Sequence, residues 1–390
     1  MELTGYILFI PIIFFIVVFH ELGHFLLAKL FNIEIEEFAI GFPPRIFAKK
    51  IFSTEISLNT IPLGGYVKLP SIDKPDNGDR FSLGLSIKKI LVFASGSLFN
   101  FMLTFVIITL IYIFPHKTIS GDIYIQKIAP DSPADISGLV EGDVIKEINA
   151  KEIKNIDQLI SAINKTEDIS SSIKIERSKK LSAFNAIQET TSLTLKIKPR
   201  KNVTQRKVVE QVNNSIKEVS LLEARTYNPD LKIGDFMTEG KLGVLINMQN
   251  MYESSETLSL KNSIQKSYQT SGLLFKNLNS LFETNQESNL ESRFTGPIGI
   301  AQITNQSSKQ GLQSVAELVA LISFSLGIFN LIPFPPLDGG KILFEVFTLF
   351  RGGKPVPNHI TYKIQLFGML VLFSLIILVT FSDIKNIINT

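Results

Sequence analysis

An apolar run from about Tyr6 to Phe31 holds His20, Glu21 and His24 in its second half. A run of that length fits a membrane-spanning helix, which needs about 20 mostly apolar residues. Ionisable groups at that depth cost on the order of 3 kcal/mol each, so they persist where they do chemistry or line a polar path. On a helix, His20 and His24 lie one turn apart on one face and can grip a single cation. Glu21 sits about 100° further round, so it can reach water beside that cation without ligating it. This is the His-Glu-x-x-His arrangement, which supplies two zinc ligands and a general base.

The rest of the chain decides what such a helix belongs to. At 390 residues, 45% hydrophobic, with a mean hydropathy of +0.23, it is too apolar for an ordinary soluble protein and too polar for a bare membrane bundle. The net charge of +3 comes without a basic stripe interleaved with aromatics, so nucleic acid is not an expected partner. With Cys 0 a metal must rely on histidine and carboxylate. Glu2 in place of a basic leader, and the length of the first run, favour a retained span over a cleaved signal peptide.

Four apolar segments qualify as spans: Tyr6–Phe31, Ile90–Phe114, a longer one across Val315–Phe350, and Ile364–Phe381. The expected organisation is a first span over 1–31, a loop with a membrane-associated β-hairpin over 32–89, and a second span over 90–114. A β-rich domain over 120–200 and a polar linker with an amphipathic helix over 201–292 come next. A broken third span over 293–350, a short loop over 351–363 and a fourth span over 364–382 close the chain. The fold class is thus an α-helical polytopic membrane protein with an inserted β-rich domain. Arg351, Lys354 and Lys363 face no acidic residue in the last loop, which the positive-inside rule assigns to the cytoplasm. The inserted domain and both termini are then extracytoplasmic.

Inside the third segment, Pro333, Pro335 and Pro336 must break the helix, and broken backbone at membrane depth is tolerated where it is buried or lines a polar cavity. Asp338 follows at the start of a new helix. It is the natural third ligand, since catalytic zinc usually takes three protein ligands; it could also serve as a helix N-cap. Lys341 and Glu345, four apart, suggest an ion pair or groups near the cytoplasmic surface, with no chemistry assigned to them. Asn330 either hydrogen-bonds a substrate carbonyl or satisfies backbone freed by the prolines. His116 and His359 read as surface residues. Around Ile61–Leu69, apolar strands with Gly64-Gly65 as the turn suggest a hairpin, with Tyr66 beside it; an open edge there could hold a peptide as an added strand. An ordinary loop is the alternative.

From Gly121 the pattern is that of a small β-rich domain. Ile123–Ile128 alternates as a strand, Pro130–Ala134 is a turn into a short helix, and Gly138–Asn149 is a tight turn and strand. Ile156–Asn164 is helical and Ser192–Lys198 closes the set. With its Gly-Leu-x-x-Gly-Asp-x-Ile core this looks like a PDZ domain ending near Lys198–Arg200; such domains bind peptide ends by strand addition. A strand at Leu242–Asn247 and an amphipathic helix over Ser263–Phe282, either lying on the membrane surface or packed on the bundle, follow.

Taken in order, HELGH at His20–His24, GFPPR at Gly41–Arg45, IPLGGYVKL at Ile61–Leu69, the PDZ signature, GPIGIA at Gly296–Ala301 and NLIPFPPLDGG at Asn330–Gly340 resemble the site-2 protease family of intramembrane zinc metalloproteases, in its bacterial RseP-like branch. The resemblance implies zinc bound by His20, His24 and Asp338, Glu21 as general base, Asn330 positioning substrate, and the Gly64–Tyr66 region contacting an unwound substrate helix. It also implies a multi-pass protein of the bacterial cytoplasmic (inner) membrane, embedded in the lipid bilayer. Its substrates would be single-span membrane proteins such as anti-sigma factors or remnant signal peptides, with peptide ends meeting the PDZ domain. Relatives commonly show Ala-Gly-Pro before an Asn in the second span, where this chain has Ser95-Gly96-Ser97-Leu98-Phe99-Asn100. A transporter or a scaffold would give no reason for Glu21.

Overall fold

The computed structural model describes residues 4–51, 53–70, 83–180, 188–212, 218–277, 296–354 and 356–388. They form two compact units, one from the chain up to His116 together with Glu256 onward, the other from Lys117–Ser255.

The first unit is helical. Its helices are α1 (Thr4–Leu30), α2 (Leu83–Ile113), α6 (Leu260–Asn277), α7 (Pro297–Gln310), α8 (Leu312–Leu331), α9 (Asp338–Phe350) and α10 (Asn358–Ile388). Among the described residues α1, α2, α8 and α10 are long and apolar enough to cross a membrane. Ile12 and Ile16 of α1 pack with Leu103 of α2 and with Val315, Val319 and Leu326 of α8. Further along, Ala28 of α1 meets Val92 and Phe93 of α2.

The amphipathic helix is α6, and it packs on the bundle. Ser263 and Ser267 are buried, Tyr112 of α2 bonds Thr270 at 3.1 Å, and Phe275 meets Phe101 and Phe324 at 5.3 and 4.7 Å between ring centres. Its expected last residues, Leu278–Phe282, lie outside the described residues. The GPIGIA motif opens α7, whose N-cap Gly296 offers no side chain. Asp383 of α10 does the capping instead, accepting from the Gly299 and Gly296 amides at 2.8 and 3.3 Å. A Cβ at Gly296 would lie 2.6 Å from that carboxylate.

The third apolar segment is interrupted as the prolines require. α8 stops at Leu331 and α9 starts at Asp338. Gly339 and Gly340 let α9 press back on the break, since a Cβ at Gly339 would sit 2.3 Å from the Ile332 carbonyl oxygen and one at Gly340 would sit 2.8 Å from Pro335 N. The N-cap of α9 is Leu337, so Asp338 stands one position inside the helix and its side chain is not the cap.

Between α1 and α2, β1 (Glu37–Ile51) and β2 (Thr54–Lys68) pair in a way the sequence does not suggest. Ile51 opposes Thr54, so the tight turn falls there and not at Gly64-Gly65. Residues 37–40 are flanked on one side by 55–58 and on the other by 65–68. The two glycines thus lie inside a strand that forms one edge of this small sheet. Glu37 is the clasp: its buried carboxylate accepts from Ser57 at 2.7 Å, Arg45 at 2.7 Å and Tyr66 at 3.1 Å. Burial opposes its charge, but those donors outweigh burial and hold its pKa below the ordinary carboxylate value.

The second unit carries a sheet of β3 (His116–Ile128), β4 (Val144–Ile148), β5 (Lys151–Glu152), β6 (Ser171–Lys180), β7 (Gln188–Ile197) and β11 (Val244–Glu256), in the order β11-β3-β4-β6-β7 with β5 on β4. The helices α3 (Pro133–Ile136) and α4 (Ile156–Lys165) accompany it. Its core is aliphatic, from Ile123, Ile125, Ile145, Leu159, Ile173, Ile175 and Leu242, as alternation on half-buried strands demands. Asp143 of the Gly-Asp turn is fully buried and gripped by Arg177 at 2.7 Å.

In the stretch expected to be a linker from residue 201, the described residues 201–212 and 218–256 are folded. β8 (Thr204–Val209), β9 (Glu218–Ser220) and β10 (Phe236–Glu239), with α5 (Leu221–Tyr227), close over Val208, Val219, Ala224 and Met237. Arg200 and Arg206 each approach the buried Glu239 at 2.8 Å. β11 then returns beside β3, with Thr118 bonded to Ser254 at 2.9 Å, so the unit does not end at Arg200.

Candidate metal centre

α1 carries His20 and His24 one turn apart, and the glycine-cushioned start of α9 brings Asp338 to them. All three are buried, at 5, 7 and 8% exposure. Asp338 Oδ2 lies 3.1 Å from His20 Nε2 and 3.1 Å from His24 Nε2, and the two Nε2 atoms are 3.2 Å apart. Ligands at about 2.0–2.1 Å from a tetrahedral zinc are separated by about 3.3 Å, so this triangle has the right edge length for one face of such a site. Among the described residues this is the one group of three or more such side chains that could hold a metal ion.

Each ligand has a partner behind it. The Val92 carbonyl faces His24 Nδ1 at 2.7 Å, so that nitrogen carries the proton and Nε2 is left with its lone pair. Asn100 faces His20 Nδ1 at 3.3 Å. Lys341 donates to Asp338 Oδ1 at 3.1 Å, which leaves Oδ2 for the centre. Outer groups of this kind orient ligands and tune the metal they hold. Beside the expected Lys341–Glu345 pair, Lys341 serves Asp338, and Glu345 lies 3.7 Å from Lys89. The contact of Lys341 with Asp338 joins residues three apart in the first turn of α9.

Gly96 explains how α2 comes so close. A Cβ there would be 2.5 Å from His20 Cε1 and from His24 Nε2. Gly96, the glycine this chain shares with the Ala-Gly-Pro of its relatives, thus places backbone, with no side chain, against both imidazoles. Gly23 meets the Ser95 carbonyl in the same manner, at 2.6 Å from its would-be Cβ.

Glu21 is half-buried, and no hydrogen bond or ion pair among the described residues occupies its carboxylate. Gly65 lies against it, with a would-be Cβ 3.1 Å from Glu21 Cγ and 2.8 Å from the Ala39 carbonyl oxygen. Gly64 is the buried neighbour in the same strand, and Tyr66 is committed to Glu37. Asn330 stands near the end of α8, half-buried, and is not among the groups bonded to the histidines or Asp338. His116 is buried, not a surface residue, and meets Tyr112 edge to face with ring centres 5.3 Å apart; His359 is exposed. Asn100, Gly96 and Lys341 were not singled out from sequence as site residues. The one available signal was Gly96 and Asn100 sharing a helical face in an apolar span.

The profile of peptidase family M50 matches residues 8–375. A Campylobacter jejuni protein named as a candidate zinc metalloprotease is 30% identical over 386 residues, covering 97% of this chain and 92% of its own. A Clostridium perfringens protein with the same kind of name is 28% identical over 374 residues, covering 95% of each chain. The zinc metalloprotease RasP of Shouchella clausii is 25% identical over 464 residues, covering 98% of this chain and 99% of its own.

Proposed function

This chain belongs to peptidase family M50, the site-2 proteases, and from that premise we propose that it is an intramembrane metalloendopeptidase in which His20, His24 and Asp338 hold zinc and Glu21 is the general base. The observation that carries this reading is the triangle of ligand atoms, 3.1–3.2 Å on a side, built from apolar helices with the carboxylate of Glu21 on the same helix as the two histidines, one position after His20. When bound, zinc polarises a carbonyl and lowers the pKa of water. Glu21 then takes the proton of the attacking water on its carboxylate and passes it to the leaving amine nitrogen.

A helical substrate hides its carbonyls in its own hydrogen bonds and must unwind before attack. The edge strand through Gly64, Gly65 and Tyr66 offers backbone donors and acceptors for the unwound segment. Its support is Gly65, which brings that edge against Glu21 with no side chain between. Asn330 is assigned to hydrogen-bonding the substrate near the scissile bond, supported by its place at the end of α8 beside the proline break. The substrates are transmembrane segments of single-span proteins, such as anti-sigma factors or remnant signal peptides.

The sheet unit is assigned as a PDZ domain that meets peptide ends, supported by its Gly-Asp turn, its core and the edge strand β11. The charge of the 351–363 loop supports assigning that unit to the outside of the cytoplasm, and the protein is assigned to the bacterial inner membrane. The test is cleavage of a tagged single-span substrate by wild type and by Glu21→Gln, with bound zinc measured in both. Cutting by wild type alone, with zinc retained in both, supports the reading; equal cutting by the variant removes Glu21 from the mechanism.

A further inference from the structure

We propose that Asn100 is a positioning residue of the metal centre, its carboxamide oxygen accepting the Nδ1 proton of His20 and so fixing the tautomer and ring orientation that present Nε2 to the metal. The inference rests on the assignment of His20 as a ligand and adds a role for a residue outside the ligand set.

The placement begins with Gly96. Because no side chain fits between α2 and the two imidazoles, the α2 backbone lies against the rings. The residue one turn further on the same face, Asn100, then reaches the remaining nitrogen of His20. Asn100 is fully buried and its carboxamide is 3.3 Å from His20 Nδ1. The main chain at this position is held from two helices, with the Asn100 carbonyl accepting from Thr104 at 2.9 Å and from Ser323 of α8 at 2.9 Å.

The chemistry selects which end of the amide faces the ring. A neutral imidazole that gives its Nε2 lone pair to a cation carries its proton on Nδ1. That proton needs an acceptor, and the amide nitrogen is itself a donor. Asn100 Oδ1 is a buried acceptor with no hydrogen-bond partner among the described residues, and a half-turn of the carboxamide brings it to Nδ1. His24 differs: its Nδ1 meets the main-chain oxygen of Val92, which no substitution removes. The orientation of His20 rests on a replaceable side chain.

The experiment uses the full chain in detergent and measures zinc affinity by competition with a chelator for wild type, Asn100→Leu, Asn100→Ala and Asn100→Asp, with helical circular dichroism and thermal unfolding of the metal-stripped proteins alongside. Leu keeps the volume and lacks the acceptor; Asp keeps the acceptor. The expected result is about 10–100-fold weaker zinc binding in Asn100→Leu and Asn100→Ala, with Asn100→Asp binding at least as tightly as wild type. A residue that only fills space would give equal affinities in Leu and wild type, and that outcome overturns the proposal. If Asn100→Leu fails to fold, Ala against Asp decides it: equal affinities in that pair overturn it as well. Failure of wild type itself to bind zinc would instead strike the metal-site reading on which the inference stands.

Discussion

Lys341 is the residue at which the metal centre meets its surroundings most directly. Its ammonium holds Asp338 Oδ1 and lies over the Phe93 ring, 5.4 Å from its centre, so Lys341→Met keeps the apolar stem and removes only the charge. Freed of that partner, Asp338 can rotate, and zinc affinity should fall by roughly 10-fold or more with the fold intact. Titration with zinc against a chelator checks this, and unchanged affinity would make Lys341 a bystander. At this scale the sequence is most readable where spacing along one helix does the work: His20, Glu21 and His24 declare themselves by their separation in an apolar run. Asp338 declares itself by its place after a forced break. Asn100 does not, because what makes it matter is a partner on another helix, and Lys341 reads forward toward Glu345 while its contact runs back to Asp338, three residues before it.

Among the elements, the β1–β2 sheet shows how a local signal misleads. Gly64-Gly65 has the composition of a turn, yet pairing of 65–68 with 37–40 draws it into a strand, and the clasp at Glu37 holds Tyr66 and Ser57 together from distant parts of the chain. The glycine is needed for close approach. A β-branched side chain at Gly65 would collide with Glu21 and with the Ala39 carbonyl. Gly65→Val is therefore expected to lower cleavage by at least about 10-fold, on the order of 1.4 kcal/mol of transition-state stabilisation, while zinc content stays at the wild-type level. Parallel measurement of turnover and bound metal decides it; loss of zinc would mean that the strand supports the ligands, and wild-type cleavage would remove the edge from the substrate path. The apolar helices α1, α2, α8 and α10 were readable from hydropathy alone, and their ends moved by several residues because apolar length, not the last hydrogen bond, is what hydropathy measures.

In the whole molecule, a metal centre assembled from helices far apart in sequence coexists with a sheet unit inserted between two of them. The insertion point was legible, because apolar spans end sharply at Phe114 and polar strands begin. The return was not: a strand was readable at Leu242–Asn247, but that β11 joins the sheet beside β3, more than a hundred residues earlier, leaves no local mark. The buried Glu239 with Arg200 and Arg206 was equally hidden in a stretch whose polar composition reads as linker. Membership of peptidase family M50 brings these parts together around one claim, that His20, His24 and Asp338 form a three-ligand zinc site. X-ray absorption at the zinc edge on the full-length protein tests it most directly. The account predicts one tightly held zinc with scattering from two imidazoles and oxygen at about 2.0–2.1 Å, lost in Asp338→Ala. Absence of zinc from the folded protein, or a zinc environment unchanged by Asp338→Ala, would contradict it.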